Sequence, residues 1–435
     1  MSELRPYQRD LIARAQAAYR DGLRSVLVQC PTGGGKTYLC ARGVIAPSVA
    51  MGRRVVFVAD LEEIVEDTAD RLRSLSLPVG VVKAGRPSDP TAPVQVCSLQ
   101  TLARRLGDLP PADRVILDEA HIAGARTVRE LLTHYRGGLV WGTTATPARG
   151  DGQPLDEFER LIVGPSMRTL IADGSLVQPT VFAPHGVLER GVARDPVEVI
   201  LENVERRFAV FAPDAAQADR IAREATEGGH LTVAVLDGMG RDERRSVRGR
   251  LESGEVRSLV TVRALQKGFD APLIDAVILT QTGSITSFLQ SVGRGLRTHL
   301  ESGKRECLVW DLRGAVHVHG LPEDDRAWSL EGAQGKSAAE RPQGLRRCAD
   351  CHAMFPPVTR CPRCGSVHVT DPRPLRVQRA EMFDASAIPL DERSRLYREG
   401  IERKLLRSGK PAHVAARIAA RAVPPWERKS AEVAS

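Results

Sequence analysis

The chain has 435 residues, of which 42% are hydrophobic and 27% charged, and a formal net charge of +8. This length and balance predict a globular protein of two or three domains, each able to bury a core. No apolar run is as long as a membrane span, and the first ten residues lack the apolar core of a signal peptide. We therefore expect a cytoplasmic protein with no membrane partner.

A short polar motif, LRPYQ at residues 4–8, precedes an amphipathic helical pattern near the N-terminus. The amide of a glutamine such as Gln8 can form paired hydrogen bonds with the N6 and N7 edge of adenine. Taken alone, however, the same letters indicate only the start of a helix. The role of Gln8 therefore depends on the motifs that follow.

The motif around which the chain is organised is CPTGGGKT at residues 30–37. It follows a short apolar run, Ser25–Gln29, and precedes a helical pattern. A strand, a glycine-rich loop and a helix are the setting of a phosphate-binding P-loop. The motif departs from the usual pattern at its first position, where Cys30 takes the place of a glycine.

Each remaining residue type in the loop suits phosphate binding. Gly33, Gly34 and Gly35 lack a Cβ, so their N–H groups can surround a phosphate, and the helix N-terminus adds further donors. The Lys36 ammonium can reach the β- and γ-phosphates of a nucleotide. The Thr37 hydroxyl can bind Mg²⁺. These residues predict a site for ATP and Mg²⁺.

Alternating strand-like and helix-like segments continue through the first third of the chain, which predicts a parallel sheet with helices on both faces. In such sheets, functional side chains collect at the carboxyl ends of the strands. After the strand that precedes the P-loop, the predicted strands are residues 54–59, 94–98, 114–118 and 139–143.

The sequence DEAH follows an apolar strand about 80 residues after the P-loop. Asp118, at the end of that strand, is placed to hold Mg²⁺ opposite Thr37. Glu119 is placed to orient and deprotonate the water that attacks the γ-phosphate of ATP. The position at a strand end favours this function over an exposed, inactive tetrapeptide.

A region rich in Gly, Pro and Asp at residues 151–180 predicts a hinge between a first lobe, residues 1–150, and a second lobe, residues 181–320. The second lobe has its own alternating pattern and no P-loop. Its predicted strands are residues 207–212, 231–236, 258–262, 276–280 and 306–312.

Beyond a polar linker predicted at residues 321–344, two CxxC pairs predict a zinc ribbon at residues 345–370. Four thiolates in two tight pairs suit a closed, structural Zn²⁺ site. Two alternatives remain: His352 or His368 replaces one cysteine, or the thiols are only buried. The predicted ligands are Cys348, Cys351, Cys361 and Cys364.

The positive charge of the protein lies in its C-terminal part. Residues 326–435 contain 21 Lys and Arg against 12 Asp and Glu, whereas residues 1–325 contain 41 against 42. A basic helical tail at residues 371–435 is predicted to meet a polyanion or a protein partner. Its arginines and Trp426 suit contacts with a nucleic-acid backbone or base, although a solvated helix pair explains the pattern equally well.

The P-loop, the DEAH segment and the TATP sequence that starts at Thr144 together resemble the superfamily 2 helicases. LRPYQ, GFDAP, VGRGLR and the downstream cysteines make the resemblance closest to bacterial RadD-like helicases. Their phage relatives and the helicase subunits of type III restriction enzymes are neighbours. The resemblance covers roughly residues 1–320 and implies two RecA-like, doubly wound α/β lobes. The predicted zinc ribbon and helical tail follow these lobes, and the tail beyond Thr370 does not match the family.

The resemblance also implies roles for individual residues on both sides of an ATP-binding cleft. It assigns adenine recognition to Gln8 with support from Arg5, and ribose and cleft contacts to Gly268 and Asp270. Arg294 and Arg297 of the sequence QSVGRGLR are assigned to the γ-phosphate. Residues that link ATP to nucleic-acid binding are His121, Thr144, Thr146 and Gln290, and backbone contacts to nucleic acid fall at Ser98 and Thr101.

One departure from the family lies after the second predicted strand, where the sequence DLEEIVED is acidic. The family commonly has a basic or neutral residue near a DNA phosphate at this point. Side-chain contacts from Asp60, Glu62 and Glu63 to phosphate are therefore not expected.

We expect an ATP- and Mg²⁺-dependent DNA helicase or translocase that acts in repair, recombination or phage replication. An RNA helicase is the alternative within the class, since such lobes grip the phosphate backbone. A zinc-ribbon adaptor that uses ATP only as a conformational switch is the alternative from another class.

Overall fold

The computed structural model describes residues 4–59, 62–83, 89, 91–104, 111–122, 126–236, 238–262, 271–332, 346–347, 354–355, 366, 375 and 377–427. Its two large sheets define two lobes, which we call lobe 1 and lobe 2. In the described part of the chain, every helix is too short or too polar to cross a lipid bilayer.

Lobe 1 is built on a seven-stranded sheet in which all the paired strands run parallel, in the order β3-β4-β2-β5-β6-β1-β7. Its strands are β1 Ser25–Gln29, β2 Val55–Ala59, β3 Val79–Val82, β4 Val94–Ser98, β5 Arg114–Asp118, β6 Leu139–Thr144 and β7 Arg160–Val163.

Lobe 2 has a second seven-stranded sheet in the order β10-β11-β9-β12-β13-β8-β16, in which only the last strand is antiparallel. Its first six strands are β8 Gln178–Pro184, β9 Phe208–Phe211, β10 Thr232–Val235, β11 Ser258–Thr261, β12 Ala276–Leu279 and β13 Glu306–Asp311. A separate antiparallel pair, β14 Arg346–Arg347 and β15 Met354–Phe355, precedes β16 Met382–Asp384.

Helices cover both faces of each sheet. In chain order they are α1 Pro6–Arg20, α2 Lys36–Cys40, α3 Ala46–Ala50, α4 Glu62–Ser74, α5 Leu99–Arg104, α6 Arg126–His134, α7 Met167–Ala172, α8 Pro196–Glu202, α9 Ala215–Glu227, α10 Arg241–Glu252, α11 Ile285–Gly295, α12 Val316–His319, α13 Leu390–Arg407 and α14 Ala412–Ala420. A π-turn, Ala41–Ile45, joins α2 to α3, and 3₁₀ turns lie at Ala120–Ile122, Leu300–Ser302 and Ala385–Ala387.

Each sheet carries an apolar core on both faces, because its central strands are continuous runs of β-branched and apolar residues. All five residues of β1 and of β2 are buried. Burial on both sides is typical of parallel sheets flanked by helices. The two-lobed α/β architecture predicted from the alternating pattern is therefore confirmed.

The predicted hinge, residues 151–180, contains elements of the lobes themselves. Residues Arg160–Val163 form β7, which pairs parallel with β1 at the edge of the lobe 1 sheet. Residues 178–180 already belong to β8 of lobe 2. The stretch between the two sheets is therefore shorter than the composition predicts.

The predicted linker at residues 321–344 is also packed in its first part, since Leu321, Glu323 and Asp324 are buried. The tail returns to lobe 2, where β16 extends the sheet by pairing with β8. Helices α13 and α14 lie where the sequence predicts helical segments.

Trp426, which the sequence offers as a residue that could stack on a base, makes internal contacts in this structure. Its indole N–H donates to Ser394 Oγ over 3.2 Å, and its ring packs edge-to-face on Tyr397 with 5.5 Å between centroids. The ring also lies so close to Gly320 that a Cβ there would be 2.4 Å from its Cε3 atom. Through these contacts, Trp426 packs the segment after α14 against α13 and lobe 2.

Candidate functional site between the lobes

A cavity of about 380 Å³ lies between the two lobes, beside the P-loop. Lobe 1 contributes the loop, the DEAH segment and one side of α4, and lobe 2 contributes α11 and the residues that follow it. The lining residues are Arg5, Thr32, Gly33, Gly35, Lys36, Thr37, Tyr38, Asp67, Thr68, Arg71, Asp118, Glu119, Ser175, Pro272, Gln290, Arg294, Arg297 and Thr298.

The P-loop has the backbone that its glycines predict. Gly33 and Gly35 have φ angles of 88° and 77°, in the left-handed region that favours glycine. Gly35 directly precedes α2, so the free N–H groups of the first helical turn follow the loop. The loop therefore offers backbone donors at the place where the sequence predicts a phosphate.

Cys30, at the position where the usual motif has glycine, is fully buried behind the loop. Its Sγ lies 3.5 Å from the Gly34 carbonyl oxygen. Burial raises the pKa of the Cys30 thiol to about 11. The thiol is therefore neutral at physiological pH and brings no negative charge to the phosphate site.

Lys36 and Glu119 form an ion pair of 3.0 Å across the cavity. Burial by itself would raise the pKa of Glu119, but the Lys36 ammonium and the hydrogen bond from His121 outweigh it and hold this pKa below its usual range. Glu119 also has a φ of 51°, in the left-handed region that is strained for a residue with a side chain. Directly after β5, Glu119 thus combines an ionised carboxylate with a strained backbone conformation.

Asp118 and Thr37 line the same cavity. Burial, followed by the charge of neighbouring Glu119, raises the pKa of Asp118. A cation beside Asp118 would favour its charged form. Carboxylate and hydroxyl oxygens are also the ligands that Mg²⁺ prefers, so these two residues fit a Mg²⁺ ion bound with a nucleotide.

A chain of hydrogen bonds leads from the DEAH segment to lobe 2. His121 Nδ1 lies 3.2 Å from Thr144 Oγ1, and Thr144 Oγ1 donates to the Thr146 carbonyl oxygen over 3.0 Å. Thr146 Oγ1 then donates to Thr286 Oγ1, in the first turn of α11, over 2.9 Å. Three of the four residues that the resemblance assigns to coupling, His121, Thr144 and Thr146, are therefore in contact, and Thr286 is an addition that the sequence did not indicate.

Arg294 and Arg297 lie on the lobe 2 side of the cavity that Lys36 lines from lobe 1. Helix α11, which begins at the N-cap Ser284, carries Arg294 and Gln290, and Gln290 is 5% exposed. The helix approaches the P-loop so closely that a Cβ on Gly293 would lie 2.5 Å from Thr32 Cβ. The glycine of QSVGRGLR therefore permits the arginines to reach the cavity, a role that the sequence analysis missed.

Gln8 lies directly behind the P-loop, and its role in adenine recognition stays a prediction. It is 3% exposed, does not line the cavity, and donates from Nε2 to the Gly34 carbonyl oxygen over 3.2 Å. Its Oε1 accepts from the Arg5 N–H over 3.0 Å. Tyr7 donates to the same Gly34 oxygen over 2.8 Å. In this structure Gln8 and Tyr7 brace the P-loop, and Arg5 alone of the three lines the cavity.

Ser98 and Thr101 are bonded to each other at the start of α5. Thr101 N–H donates to Ser98 Oγ over 3.1 Å, and both residues are buried. A nucleic-acid contact through the Thr101 amide would require that bond to break. The predicted nucleic-acid contacts at these two residues remain a prediction.

Several predicted residues fall outside the described part of the chain. These are Gly268 and Asp270, Asp60 with the side chains of Glu62 and Glu63, and the cysteines Cys348, Cys351, Cys361 and Cys364. No group of three or more potential metal-binding side chains occurs among the residues that the structure does describe. The zinc prediction is therefore untested.

Two sequence families match this chain. Residues 1–149 match "Type III restriction enzyme, res subunit", and residues 193–299 match "Helicase conserved C-terminal domain". The first match contains the P-loop and the DEAH and TATP segments, and the second contains Arg294 and Arg297. Together the matches cover more than half of the chain.

Two related proteins match this chain over most of its length. The "51.5 kDa protein" of Lactococcus phage (isolate 7-9) is 23% identical over 365 residues, which cover 78% of this chain and 77% of the phage protein. The "Putative ATP-dependent helicase IRC3" of Saccharomyces cerevisiae is 26% identical over 362 residues. That match covers 72% of this chain but 52% of the yeast protein, so this chain spans about half of that relative.

A solved structure with a similar fold is the ATP-dependent type ISP restriction-modification enzyme LlaBIII bound to DNA. Its TM-score is 0.55 at 17% identity, over 71% of this chain and 27% of that chain. The narrower likeness to RadD-like helicases stays a prediction. The two family matches, and the motifs that the fold brings together within them, show that the chain belongs to the superfamily 2 helicases.

Proposed function

We propose that this protein is an ATP-dependent DNA helicase or translocase that couples ATP hydrolysis between its lobes to movement on DNA. The observation that carries the proposal is the meeting of Lys36 and Glu119 from lobe 1 with Arg294 and Arg297 from lobe 2 around one cavity. A nucleotide held there touches both lobes. Its binding and hydrolysis therefore change how the lobes sit together.

Hydrolysis transfers the γ-phosphoryl group of ATP to water and leaves ADP. The ionised Glu119 orients the attacking water and accepts its proton. Lys36 exchanges its ion pair with Glu119 for the phosphates, which frees the carboxylate for the water. Asp118 and Thr37 would hold a Mg²⁺ ion together with the nucleotide, and that ion would offset phosphate charge.

Arg294 and Arg297 stabilise the charge that spreads over the phosphoryl oxygens during transfer. A guanidinium keeps its charge and can bond two oxygens at once, so it suits this role better than an ammonium does. Because phosphoryl transfer is catalysed mainly by positioning and charge, these arginines make hydrolysis depend on the position of lobe 2. The hydrogen bonds from His121 through Thr144 and Thr146 to Thr286 offer a second link between the lobes.

DNA is proposed as the partner because a protein of similar fold, LlaBIII, is described as bound to DNA. We expect single-stranded or branched DNA to raise the steady-state ATPase rate of the full chain, measured by phosphate release. The stimulation should weaken between about 50 and 200 mM salt, since binding to phosphates releases counterions.

A panel of single-stranded DNA, branched DNA and RNA of matched length separates the alternatives. Stimulation by RNA alone would replace the DNA proposal with an RNA helicase. ATP binding without stimulation by either polymer would favour an adaptor that uses ATP as a switch.

The basic C-terminal region is proposed to carry a Zn²⁺ site and to help hold nucleic acid or a protein partner. We expect about one zinc per chain by elemental analysis, as four thiolates require. Cys361→Ser should lower the zinc content, because a serine hydroxyl is a poor substitute for a thiolate. The matched control is Cys307→Ala, which removes a buried thiol that packs on Gly295 in lobe 2. A zinc-free native chain would show that the thiols serve another purpose.

A further inference from the structure

Residues 321–332, which we call the strap, leave lobe 2 after α12 and run to lobe 1. At the start of the strap, Leu321 is buried in the lobe 2 core. The Arg326 guanidinium stabilises the turn that precedes it. It donates hydrogen bonds to the carbonyl oxygens of His319, Leu321, Pro322 and Asp324 over 2.7–3.0 Å. This half of the strap is a compact, internally bonded turn.

The same half is fixed to the C-terminal tail. Arg393 of α13 bonds both carboxylate oxygens of Asp324, over 3.0 and 2.8 Å, and the Asp324 side chain is 3% exposed. Both bonds come from the single Nη1 atom of Arg393, and burial of the pair shields it from solvent. Trp328, a few residues on, packs against the lobe 2 core. The strap is therefore held to lobe 2 as far as Trp328.

The other end of the strap is attached to lobe 1. The Leu330 side chain packs against a lobe 1 core cluster, and its carbonyl oxygen accepts from the Leu155 N–H over 2.7 Å. Gly332 has a φ of 73°, and a Cβ there would lie 2.5 Å from the Gly152 carbonyl oxygen. Only a glycine permits the chain to lie this close to lobe 1.

The two attachments leave almost no free chain between them. Trp328, on lobe 2, and Leu330, on lobe 1, are separated by Ser329 alone. Two residues of fully extended chain span at most about 7 Å. The lobes therefore cannot move apart by more than a few ångströms at this point unless Leu330 or Trp328 leaves its core.

The strap also lies next to the candidate ATP site. It lines a second cavity of about 320 Å³. The other lining residues of this cavity include Gln29 and Ala145 of lobe 1 and Leu289 of lobe 2. Thr32 of the P-loop lines both this cavity and the larger one. If the lobes move apart at the interlobe cleft, the strap is therefore pulled from both of its attachments.

We propose that the strap is a tether that keeps the lobes close together in the absence of nucleotide, and that undocking of Leu330 is the step that lets the cleft open. The tether holds the lobe 2 arginines near the P-loop and so favours ATP binding. The part of this inference that concerns ATP rests on the proposed function. The part that concerns lobe separation rests on the contacts of the strap alone.

The test uses Leu330→Asp, which places a charge in the apolar contact with lobe 1. Its matched control is Ser329→Asp, which adds the same charge at the exposed neighbouring position. Three quantities are measured on the full chain: hydrogen exchange of the Leu155 amide, the radius of gyration without nucleotide by X-ray scattering, and the Kd of a nonhydrolysable ATP analogue.

For Leu330→Asp we expect faster exchange at Leu155, a larger radius of gyration that returns to the wild-type value with saturating analogue, and about fivefold weaker analogue binding. Ser329→Asp should match the wild type. A Leu330→Asp protein with the wild-type radius of gyration would overturn the tether, whether or not Leu155 becomes exposed to exchange. Failure of the wild type to bind the analogue would instead overturn the proposed function, because exchange and scattering still report on the strap.

A second variant tests the tether independently, in case Leu330→Asp does not fold. Insertion of Gly-Ser-Gly between Ser329 and Leu330 lengthens the strap and leaves both attachments intact. We expect this variant to keep the Leu155 protection and to show the larger nucleotide-free radius of gyration. An unchanged radius of gyration in the lengthened chain would show that the strap does not limit the separation of the lobes.

Discussion

Glu119→Gln is expected to lower the ATP turnover rate by about 10²–10⁴-fold, because it removes the proposed base for the attacking water. ATP binding should persist. In the wild type, Glu119 pairs with Lys36 over 3.0 Å, and an incoming nucleotide must compete for that lysine. A neutral glutamine releases Lys36, so the affinity for ATP should stay the same or increase.

The measurement is kcat by phosphate release, together with the Kd of ATP by equilibrium binding. Glu130→Gln is the matched control, since Glu130 pairs with Arg126 on the surface of α6, outside the cavity. The control should keep the wild-type values of both constants. Normal turnover in Glu119→Gln would remove this residue from the role of base.

Arg297→Ala and Arg294→Ala are each expected to reduce kcat by up to about 10³–10⁵-fold, the range for loss of an arginine that stabilises the phosphoryl-transfer transition state. Both arginines line the cavity from the lobe opposite Lys36. The lysine variants keep the charge but lose the planar fork, so they should recover only part of the activity. Binding of ATP should change less than turnover.

Arg305→Ala serves as the control for both arginine variants, because Arg305 is exposed on lobe 2 and does not line the cavity. Its kcat should equal that of the wild type. If Arg297→Ala and Arg294→Ala both turned over ATP at the normal rate, hydrolysis would not require lobe 2. The proposed coupling of ATP to lobe movement would then lose its basis.

The P-loop and the DEAH segment could be predicted because their geometry is local. Positive φ angles at Gly33 and Gly35, and a helix that begins at Lys36, follow from the residues themselves and their immediate neighbours. The position of Asp118 at the end of a buried strand follows from the apolar run before it. For that reason the structure brings these residues together as the motifs predict.

The other strands of the two large sheets were predicted correctly, whereas four strands at or next to a sheet edge, β3, β7, β8 and β16, were missed. The residues of β3 and β7 were assigned to no strand, and β16 has only three residues. Short strands at a sheet edge carry little periodicity, and the partners of β7 and β16 lie far away in the sequence. β16, for example, pairs with β8 about 200 residues earlier.

The contacts of single side chains, such as Gln8 and Trp426, also could not be predicted from the sequence. The chemistry of glutamine suits adenine, and that of tryptophan suits a base, so the sequence favours both ligands. In this structure both side chains also make internal contacts: Gln8 with Gly34, and Trp426 with Ser394 and Tyr397. Which partner a side chain meets depends on how distant elements pack.

By itself the sequence determined the family, the two α/β lobes, and the loop, acidic and arginine motifs of the candidate ATP site, because each depends on residues adjacent in the chain. Only the tertiary structure decided that Lys36, Arg294 and Arg297 line one cavity, that Gly293 permits this approach, and that residues 321–332 join the lobes. These features depend on contacts between segments more than 100 residues apart. Such contacts follow from the packing of whole lobes and leave no pattern within a single motif.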